Sequence, residues 1–246
     1  MTVQLVEFGE LSCYTTSKEE AQFIYKEIFD DHCYNVPGLP DAPFIVDAGA
    51  NIGLFSLYAK QKYPACTILA FEPAPETYGL LTRNLELNHA TSGVQTFPCG
   101  LASQAGTMAL TYFPHLPGNS TLVPAEKRKL YEEAVKKRGS EAADARFGGA
   151  TQVNVKLERL SRFLGNCPGL QRIDLLKVDV EGAELEVLKG LDDAHWALVR
   201  NVMVETWEPS GYSTPDRAVV GVQGVYRHSS RCRVGSCAVL HDHCSS

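Results

Sequence analysis

The sequence predicts an α/β fold with a doubly wound, mostly parallel sheet that carries helices on both faces. Short buried runs of β-forming residues alternate along the chain with segments of helical periodicity. The first of these runs leads directly into the turn Asp47-Ala-Gly-Ala-Asn-Ile-Gly53, and acidic residues follow the later runs. Because open α/β sheets bind ligands beyond the carboxyl ends of their strands, these features indicate a Rossmann-like ligand-binding fold.

Length and composition set the class of protein. A chain of 246 residues, with 44% hydrophobic and 21% charged residues, fits one globular domain with a substantial core. The net charge of −6 argues against a nucleic-acid partner. No apolar run approaches the ~20 residues that cross a bilayer, and the N-terminus has no signal-peptide pattern. We therefore expect no membrane partner.

The eight cysteines are scattered along the chain without a Cys-x-x-Cys pair. This spacing predicts free thiols in a reducing compartment, so we expect a cytoplasmic protein. A group near the C-terminus resembles a zinc site superficially, but its spacing matches no standard zinc finger, and we predict no metal site there. Its members are Cys232, Cys237, His241, His243 and Cys244.

Residues 1–43 are predicted to form an N-terminal helical cap. Ser17 followed by Glu20 has the pattern of a capping box, which predicts a helix that extends to about Phe29. Some tyrosines of this cap are candidate lid residues, with packing as the stronger expectation: Tyr14, Tyr25 and Tyr34.

The stretch Phe44–Gly53 predicts a strand, a tight glycine turn and the start of a helix. Its Gly-x-x-x-Gly spacing differs from the Gly-x-Gly-x-x-Gly of dinucleotide-binding turns. Asp47 would repel a phosphate and attract a cationic amino-acid group. S-adenosylmethionine carries an ammonium group and a sulfonium and has no phosphate, so it suits this turn. The predicted cofactor contacts are Asp47, Ala48, Gly49, Ala50, Asn51 and Gly53.

Two motifs carry a resemblance to a known family. Val46–Gly53 resembles class I methyltransferases and specifically the FkbM-type family, and Lys177–Glu184 is similar to the second hallmark of that family. The resemblance covers about residues 40–208. It implies an S-adenosylmethionine-dependent O-methyltransferase that acts on a hydroxyl of a small molecule, such as a secondary metabolite of polyketide or peptide type, or a sugar. It also implies that the N-terminal cap covers the cofactor pocket.

The next strand, Thr67–Phe71, is followed by Glu72 and Pro73. Glu72 follows Asp47 at close to the ~20-residue interval at which an acidic side chain meets ribose hydroxyls. We therefore predict that Glu72 binds the ribose, with Pro73 beside it. The resemblance places the segment after the strand Val94–Phe97 near the adenine. The predicted cofactor contacts there are Cys99, Gly100 and Leu101.

An insertion at about residues 113–150 is the least generic part of the 44–208 core. It comprises a loop rich in Pro and Gly, a charged helix from Pro124 to about Arg138, and a stretch at 139–149 that we expect to be mobile. Long insertions in compact domains usually serve as lids or binding segments. We predict a substrate lid, supported by the resemblance, with polar substrate contacts from His115, Asn119 and Ser120.

Asp179 and Glu181 follow the strand that begins at Ile173, so they should converge with the acidic residues that follow the other strands. A hydroxyl acceptor has to lose a proton, and the candidate bases are Asp179, Glu181 and His115. Asp179 is also a candidate cofactor contact.

Two alternatives remain open for these acidic residues. Asp179, Glu181 and Glu205 would suit Mg²⁺ or Ca²⁺ as ligands, and Glu181 would equally suit a capping role at the following helix.

Residues 209–246 are rich in Gly, Ser, Arg and Cys, and they predict an atypical or disordered tail without a helix or hairpin. Missing C-terminal strands would expose an edge of the sheet. A catalytically weak S-adenosylmethionine-binding protein is therefore an alternative function. A nicotinamide-dependent reductase is rejected, since Tyr58-Ala-Lys-Gln-Lys62 matches a reductase motif by letter only and lies on the first crossover helix.

Overall fold

The computed structural model describes residues 2–206, 216–221 and 224–226. In chain order the elements are β1 (Gln4–Phe8), β2 (Leu11–Thr15), α1 (Lys18–Tyr25), a π-helical turn (Lys26–Asp30), β3 (Phe44–Ala48), α2 (Leu54–Lys62), β4 (Thr67–Phe71), α3 (Pro75–Leu87), β5 (Val94–Phe97), β6 (Gly100–Leu101), β7 (Gly106–Tyr112), a 3-10 turn (Pro117–Asn119), α4 (Pro124–Arg138), α5 (Ser140–Phe147), β8 (Thr151–Glu158), α6 (Leu160–Leu164), β9 (Leu175–Val178), α7 (Glu184–Lys189), α8 (Asp193–Trp196), β10 (Asn201–Thr206), β11 (Asp216–Gly221) and β12 (Gly224–Tyr226).

The main sheet has the order β12-β11-β10-β9-β3-β4-β5. The strands β10, β9, β3, β4 and β5 are parallel to one another. The strand order reverses on either side of β3, so the crevice beyond β3 and β9 is where a doubly wound sheet binds a ligand. This topology confirms the predicted fold class.

Each central strand contributes side chains to two separate cores, because successive residues of a strand point to opposite faces. Ile45 and Ile68 lie in one core with residues of α2 and α3. Val46 and Leu69 lie in the other core with residues of α6 and α7. The helices therefore cover both faces of the sheet, as the sequence predicts.

The expectation of no hairpin in residues 209–246 was wrong for 216–226. β11 pairs antiparallel with β10, and β12 pairs antiparallel with β11, so these strands extend the sheet beyond β10. Val219 and Val220 in one segment and Val225 and Tyr226 in the next are β-formers with Gly221 and Gly224 between them, a pattern that the overall composition of the tail obscured. The rest of the tail, including the zinc candidates from Cys232 to Cys244, lies outside the described residues.

The insertion begins beside a second sheet of order β6-β8-β7 and contains two helices. The predicted charged helix is α4, with the bounds Pro124–Arg138. The stretch that we expected to be mobile instead forms α5. Its Phe147 packs edge-on against Tyr131 of α4, and this aromatic contact stabilises the helix. The polar composition of the segment gave no indication of it.

The N-terminal cap contains the β1–β2 hairpin in addition to the predicted helix. The Tyr25 ring stacks between Phe8 and Phe29, which is the packing role expected of it. Tyr14 receives the Arg83 guanidinium on its ring at 3.4 Å, so it is also a packing residue. None of the helices in the described part of the chain combines the length and apolar character that crossing a membrane requires.

Candidate active site

A cavity of about 840 Å³ lies beyond the carboxyl ends of β3, β9 and β10. We call the side formed by these strand ends and the glycine turn the sheet wall, and the side formed by the cap and the insertion the cover wall. The sheet wall is lined by Gly49, Ala50, Asn51, Lys177, Asp179 and Glu205. The cover wall includes Glu20, Phe23, Ile24, Tyr34, His115, Leu116 and Asn119, and Glu181 lines the cavity between the two walls.

The glycine turn is held by its backbone. The amides of Gly49 and Ala50 both donate to the carbonyl of Phe71, the last residue of β4, at 3.0 and 2.9 Å. Gly49 has a φ of +81°, and a Cβ there would lie 1.8 Å from the carbonyl oxygen of Asp179. Only glycine allows β3 and β9 to approach this closely beyond the sheet.

Asp47 lies behind this turn and does not line the cavity. It is fully buried, and its carboxylate accepts from Ser56 at 2.8 Å and from the Lys177 ammonium at 3.0 Å. Its charge is therefore neutralised by Lys177, which corrects the prediction that Asp47 attracts a cationic ligand group directly. Its geometry makes it a support of the turn.

Lys177 connects three parts of the sheet wall. Its ammonium donates to the Gly49 carbonyl at 2.8 Å and lies 3.6 Å from the nearer carboxylate oxygen of Asp179, besides its bond to Asp47. Burial opposes the charge on this lysine, but the nearby carboxylates of Asp47 and Asp179 outweigh burial and raise the pKa of Lys177. The lysine is held as a cation.

Asp179 is an acidic group of the sheet wall that lines the cavity together with Glu205, and 22% of its side chain is exposed. The Tyr34 hydroxyl donates to it at 3.0 Å. Of the three candidate lid tyrosines, Tyr34 is thus the one that reaches the cavity. Of Asp47, Glu72 and Asp179, which were predicted to converge on one crevice, Asp179 is the one that lines this cavity.

The residues predicted to meet the ribose and adenine lie at the adjoining strand ends and outside the lining of this cavity. The Glu72 carboxylate accepts from the backbone amides of Asn51 and Ala74, at 3.0 and 2.9 Å. Gly100 lies against Pro73, where an added Cβ would come within 3.5 Å of the proline ring. Leu101 is buried and its strand pairs with β8.

Glu72 is buried, and this burial raises the pKa of its carboxyl to about 7. Each carboxylate oxygen accepts more than one hydrogen bond, so the two backbone amides leave capacity for ligand hydroxyls. Burial also raises the pKa of the Cys99 thiol to about 11, which argues against a nucleophilic cysteine.

Asn51 supplies a test of whether the turn fits a cationic amino-acid group. Its side chain lines the cavity in a left-handed backbone conformation, with a φ of 49°. Its buried Oδ1 has no hydrogen-bond partner within the described residues. A buried acceptor without a partner is costly, and an ammonium donor from a ligand would satisfy it. The site therefore fits a ligand of this kind.

The insertion loop places two of its three predicted substrate contacts on the cavity. His115 and Asn119 line it, whereas Ser120 does not. The Ser120 hydroxyl instead accepts from the Phe113 amide at 3.1 Å and so holds the loop together. The prediction of Ser120 as a substrate contact does not fit this geometry.

A cluster that we call the latch joins the cover to the sheet. It consists of Glu20 on α1, Lys127 on α4 and Glu181 after β9. Lys127 pairs with Glu181 at 2.6 Å and donates to the Asn119 side chain at 2.9 Å. Glu20 accepts from the Gly118 amide at 3.0 Å. The latch thereby links the cap, the insertion and the edge of the sheet over the cavity.

Both carboxyls of the latch favour the protonated form more than usual. Burial raises the pKa of Glu20 to about 8, with a further contribution from the nearby Glu181. Burial likewise raises the pKa of Glu181 to about 7, against the opposing effect of the Lys127 ammonium. Groups of this kind exchange protons near neutral pH, as general acids and bases do.

The two alternatives for Glu181 do not fit the structure. Helix α7 begins after Ala183 without a side-chain cap, and the Glu181 carboxylate points to Lys127. Within residues 2–206, 216–221 and 224–226, no three His, Cys, Asp or Glu side chains are grouped as a metal site. Glu181 has a φ of 57°, and this left-handed backbone turns it away from the helix.

Sequence reasoning missed Lys177, Lys127 and the role of Glu20. The signal for Lys177 is a lysine within an otherwise apolar strand, which requires a buried partner. Glu20 was assigned to a capping box, but only the Ser17 half of that box forms, and the Glu20 carboxylate turns to the insertion. No pattern in the sequence identifies Lys127 among the many charges of α4.

Comparison with known proteins gives a consistent result. A family model described as "Methyltransferase FkbM domain" matches residues 47–214. Methyltransferase sdnD of Sordaria araneosa is 65% identical over 230 residues, which are 91% of this chain and 89% of that protein. Methyltransferase 1 of Beauveria bassiana is 50% identical over 209 residues, 85% of this chain and 82% of that protein. The 31-O-demethyl-FK506 methyltransferase FkbM of Streptomyces tacrolimicus is 34% identical over 202 residues, 78% and 76% of the two chains.

Proposed function

The chain belongs to the FkbM methyltransferase family, a class that uses S-adenosylmethionine, and from this premise we propose that it methylates a hydroxyl oxygen of a small molecule. The acceptor that we propose is a secondary metabolite of polyketide or peptide type, or a sugar. Transfer to oxygen is supported by the relative from S. tacrolimicus, whose name gives 31-O-demethyl-FK506 as its substrate.

The observation that carries this proposal is the arrangement of the cavity. The glycine turn and Asp179 form one wall, and His115 of the insertion faces them from the cover. A methyl donor bound at the sheet wall and an acceptor bound at the cover wall would therefore meet in the cavity between them. Holding two reactants in line in a closed site is the main contribution that a protein makes to methyl transfer.

S-adenosylmethionine supplies a methyl group on a sulfonium that is already a good leaving group. In our proposal, Asp179 pairs with its ammonium group and the Asn51 side-chain oxygen accepts from the same group. Glu72 accepts from the ribose hydroxyls, and Pro73, Gly100 and Leu101 border the adenine. Asp47 and Lys177 support the turn from behind.

The acceptor hydroxyl loses its proton as the new bond to carbon forms. We propose Glu181 as the base, because it lines the cavity and its pKa of about 7 matches the operating range of a general base. His115 is the second candidate, since it also lines the cavity. Asp179 is less suited to this task, because Tyr34 and Lys177 stabilise its charged form.

The cover wall presents apolar side chains beside polar ones. Phe23 is 52% exposed and lines the cavity with Ile24 and Leu116, while Asn119 lies on the same wall. An apolar molecule that carries hydroxyl groups would suit this combination. We continue to expect a cytoplasmic enzyme.

Calorimetric titration with S-adenosylhomocysteine tests the cofactor assignment, with NADH as the control. Saturable binding of S-adenosylhomocysteine that is weakened by Glu72→Ala and by Asp179→Asn is the expected result. Binding of NADH alone, or of neither ligand by a folded chain, would reject the proposal. A Glu181→Gln variant that binds S-adenosylhomocysteine normally and retains full turnover would exclude Glu181 as the base.

A further inference from the structure

We propose that Lys177 is a positioning residue that ties the glycine turn to the Asp179 carboxylate, with Tyr34 fixing the same carboxylate from the cap. The proposal rests on the proposed cofactor role of Asp179. It assigns a role to two residues, one from a strand of the sheet and one from the cap. Together they fix the position of the Asp179 carboxylate in the sheet wall.

The geometry of Lys177 supports this role. Its side chain is 4% exposed, and its ammonium contacts the Asp47 carboxylate, the Gly49 carbonyl and, at 3.6 Å, the Asp179 carboxylate. Asp47 precedes the turn, Gly49 lies within it and Asp179 follows β9 next to the turn. A single buried cation thus connects the turn to the ligand-facing acid. A neutral residue there would leave two carboxylates close together without their counter-charge.

Tyr34 acts on Asp179 from the cap. Its hydroxyl donates to Asp179 Oδ2 at 3.0 Å, and Oδ2 is also the oxygen nearest to Lys177. A hydrogen bond from Tyr34 and the Lys177 cation 3.6 Å away act on the same carboxylate oxygen and favour one orientation of the group. The Tyr34 ring packs against Phe55 of α2, with ring centroids 5.3 Å apart, so the hydroxyl is itself held in place. Formation of the cap is therefore required for the acid to be oriented.

The consequence is measurable without knowledge of the acceptor. A nearby cation and a hydrogen-bond donor both favour the ionised form of a carboxylate. Without either of them Asp179 would take up a proton at a higher pH, and pairing with the ligand ammonium would be lost at a higher pH. We call the pH at which S-adenosylhomocysteine binding is half lost on acidification the acid midpoint. The acid midpoint therefore reports on Lys177 and Tyr34.

Other titratable groups face the same region. On the sheet side they are Asp47, Glu72 and Glu205, between the walls Glu181, and on the cover side Glu19, Glu20, Glu27, Lys127 and His115. Of these groups, Asp47 alone is substituted in the variants below, together with Lys177, so a shift of the acid midpoint reports on Tyr34 in one variant and on the Asp47–Lys177 pair in the other.

Three variants form the test, each titrated with S-adenosylhomocysteine from about pH 3 to pH 9, a range that includes the ordinary aspartate pKa of about 3.9. Asp47→Asn/Lys177→Met removes the buried charge pair together, which avoids an unpaired buried charge. Tyr34→Phe removes one hydrogen bond to Asp179 and leaves the turn intact. Ser56→Ala is the matched control, because Ser56 bonds to Asp47 and lies behind the turn.

We expect the double variant to bind at least about tenfold more weakly at pH 7.5, with its acid midpoint at higher pH. Tyr34→Phe should move the midpoint in the same direction with a smaller loss of affinity. Ser56→Ala should leave the midpoint unchanged. A folded double variant whose affinity lies within twofold of wild type and whose midpoint is unshifted would overturn the proposal.

Two further outcomes are decisive. If the double variant shows no cooperative thermal transition, Tyr34→Phe decides, and an unchanged midpoint in that variant overturns the proposal. If the wild-type chain itself does not bind S-adenosylhomocysteine, the proposed function fails, and the inference that rests on it fails as well. Wild-type binding with unshifted variants instead overturns the positioning role alone.

Discussion

The sheet wall and the cover wall of the cavity are built by different physical means. The glycine turn is fixed by two amides that share the Phe71 carbonyl and by the fully buried Asp47 beneath it. The cover is held by the latch, in which Lys127 pairs with Glu181 and Glu20 accepts from the insertion loop. The first wall uses backbone geometry and a permanent ion pair. The second uses side chains whose carboxyl pKa values are raised by burial, to about 8 for Glu20 and about 7 for Glu181.

This difference separates two tasks. A cofactor site that is needed in every turnover benefits from a wall that is already formed before binding. An acceptor site has to admit a substrate and then exclude water, so weaker contacts suit it. Substitutions in the sheet wall should therefore abolish cofactor binding, whereas substitutions in the latch should alter the cover and leave cofactor affinity largely intact.

Gly49→Ala should have the largest effect. The added Cβ would lie 1.8 Å from the Asp179 carbonyl, in a backbone with a φ of +81°. We expect the affinity for S-adenosylhomocysteine, measured by calorimetry, to fall by more than about 100-fold, because the backbones of Gly49 and Asp179 have to move apart in the sheet wall. Gly38→Ala is the matched control, since Gly38 has a φ of +77° with no atom within 4 Å of its added Cβ. Equal losses in the two variants would contradict a special role for this close approach.

Asp47→Ala should have the next largest effect, on stability. It leaves the Lys177 ammonium without its main counter-ion in a buried position, at a cost of about 3–5 kcal/mol in the free energy of unfolding. Denaturant unfolding measures this loss. Lys26→Ala removes an exposed pair with Asp31 and should leave the stability almost unchanged. A similar cost for both variants would show that the buried pair is not the support of the turn.

Lys127→Met should act on the cover wall. Losing its contacts with Glu181 and Asn119 should increase hydrogen exchange in the insertion loop around Gly118, while S-adenosylhomocysteine affinity stays within about threefold of wild type. Lys137→Met is the control on the same helix, because its pair with Glu133 is exposed. A loss of cofactor affinity as large as that of Gly49→Ala would remove the distinction between the two walls.

The smallest effect should be a pH dependence of stability that originates in the latch. Glu20 has a pKa of about 8 in the folded chain, above the ordinary 4.5, so folding favours its protonated form. Its contribution to stability is therefore fully present below about pH 4.5 and is lost as the pH rises through about 8.

Glu20→Gln keeps the acceptor for the Gly118 amide and removes the charge. It should match the wild type at pH 5 and melt about 2–4 °C higher at pH 9, for a difference of about 1 kcal/mol. Glu19→Gln, on the same turn of α1, is the control. Equal melting temperatures of Glu20→Gln and wild type at pH 9 would mean that Glu20 does not carry a buried charge there.

Elements with a local pattern were predicted closely. The bounds of β4, β5 and α4 agree with the sequence-based ones, because local sequence features set each of them. The predictions failed where a contact between residues far apart in the sequence, or the composition of a whole segment, decided the outcome. Helix α5 depends on an aromatic contact to α4, and the β11–β12 hairpin lies in a tail whose overall composition suggested disorder.

The candidate site divides in the same way. The sequence by itself determined the glycine turn and the acids that follow β4 and β9 at one edge of the sheet, because a parallel sheet places all carboxyl ends at one edge. Only the tertiary structure decided that Asp47 is neutralised from behind by Lys177, that Asp179 lines the cavity whereas Glu72 lies outside its lining, and that Glu20 and Lys127 close the cover. The reason is that strand and turn patterns are encoded by neighbouring residues, whereas the partner of a charge is chosen by whichever distant side chain the fold brings within reach.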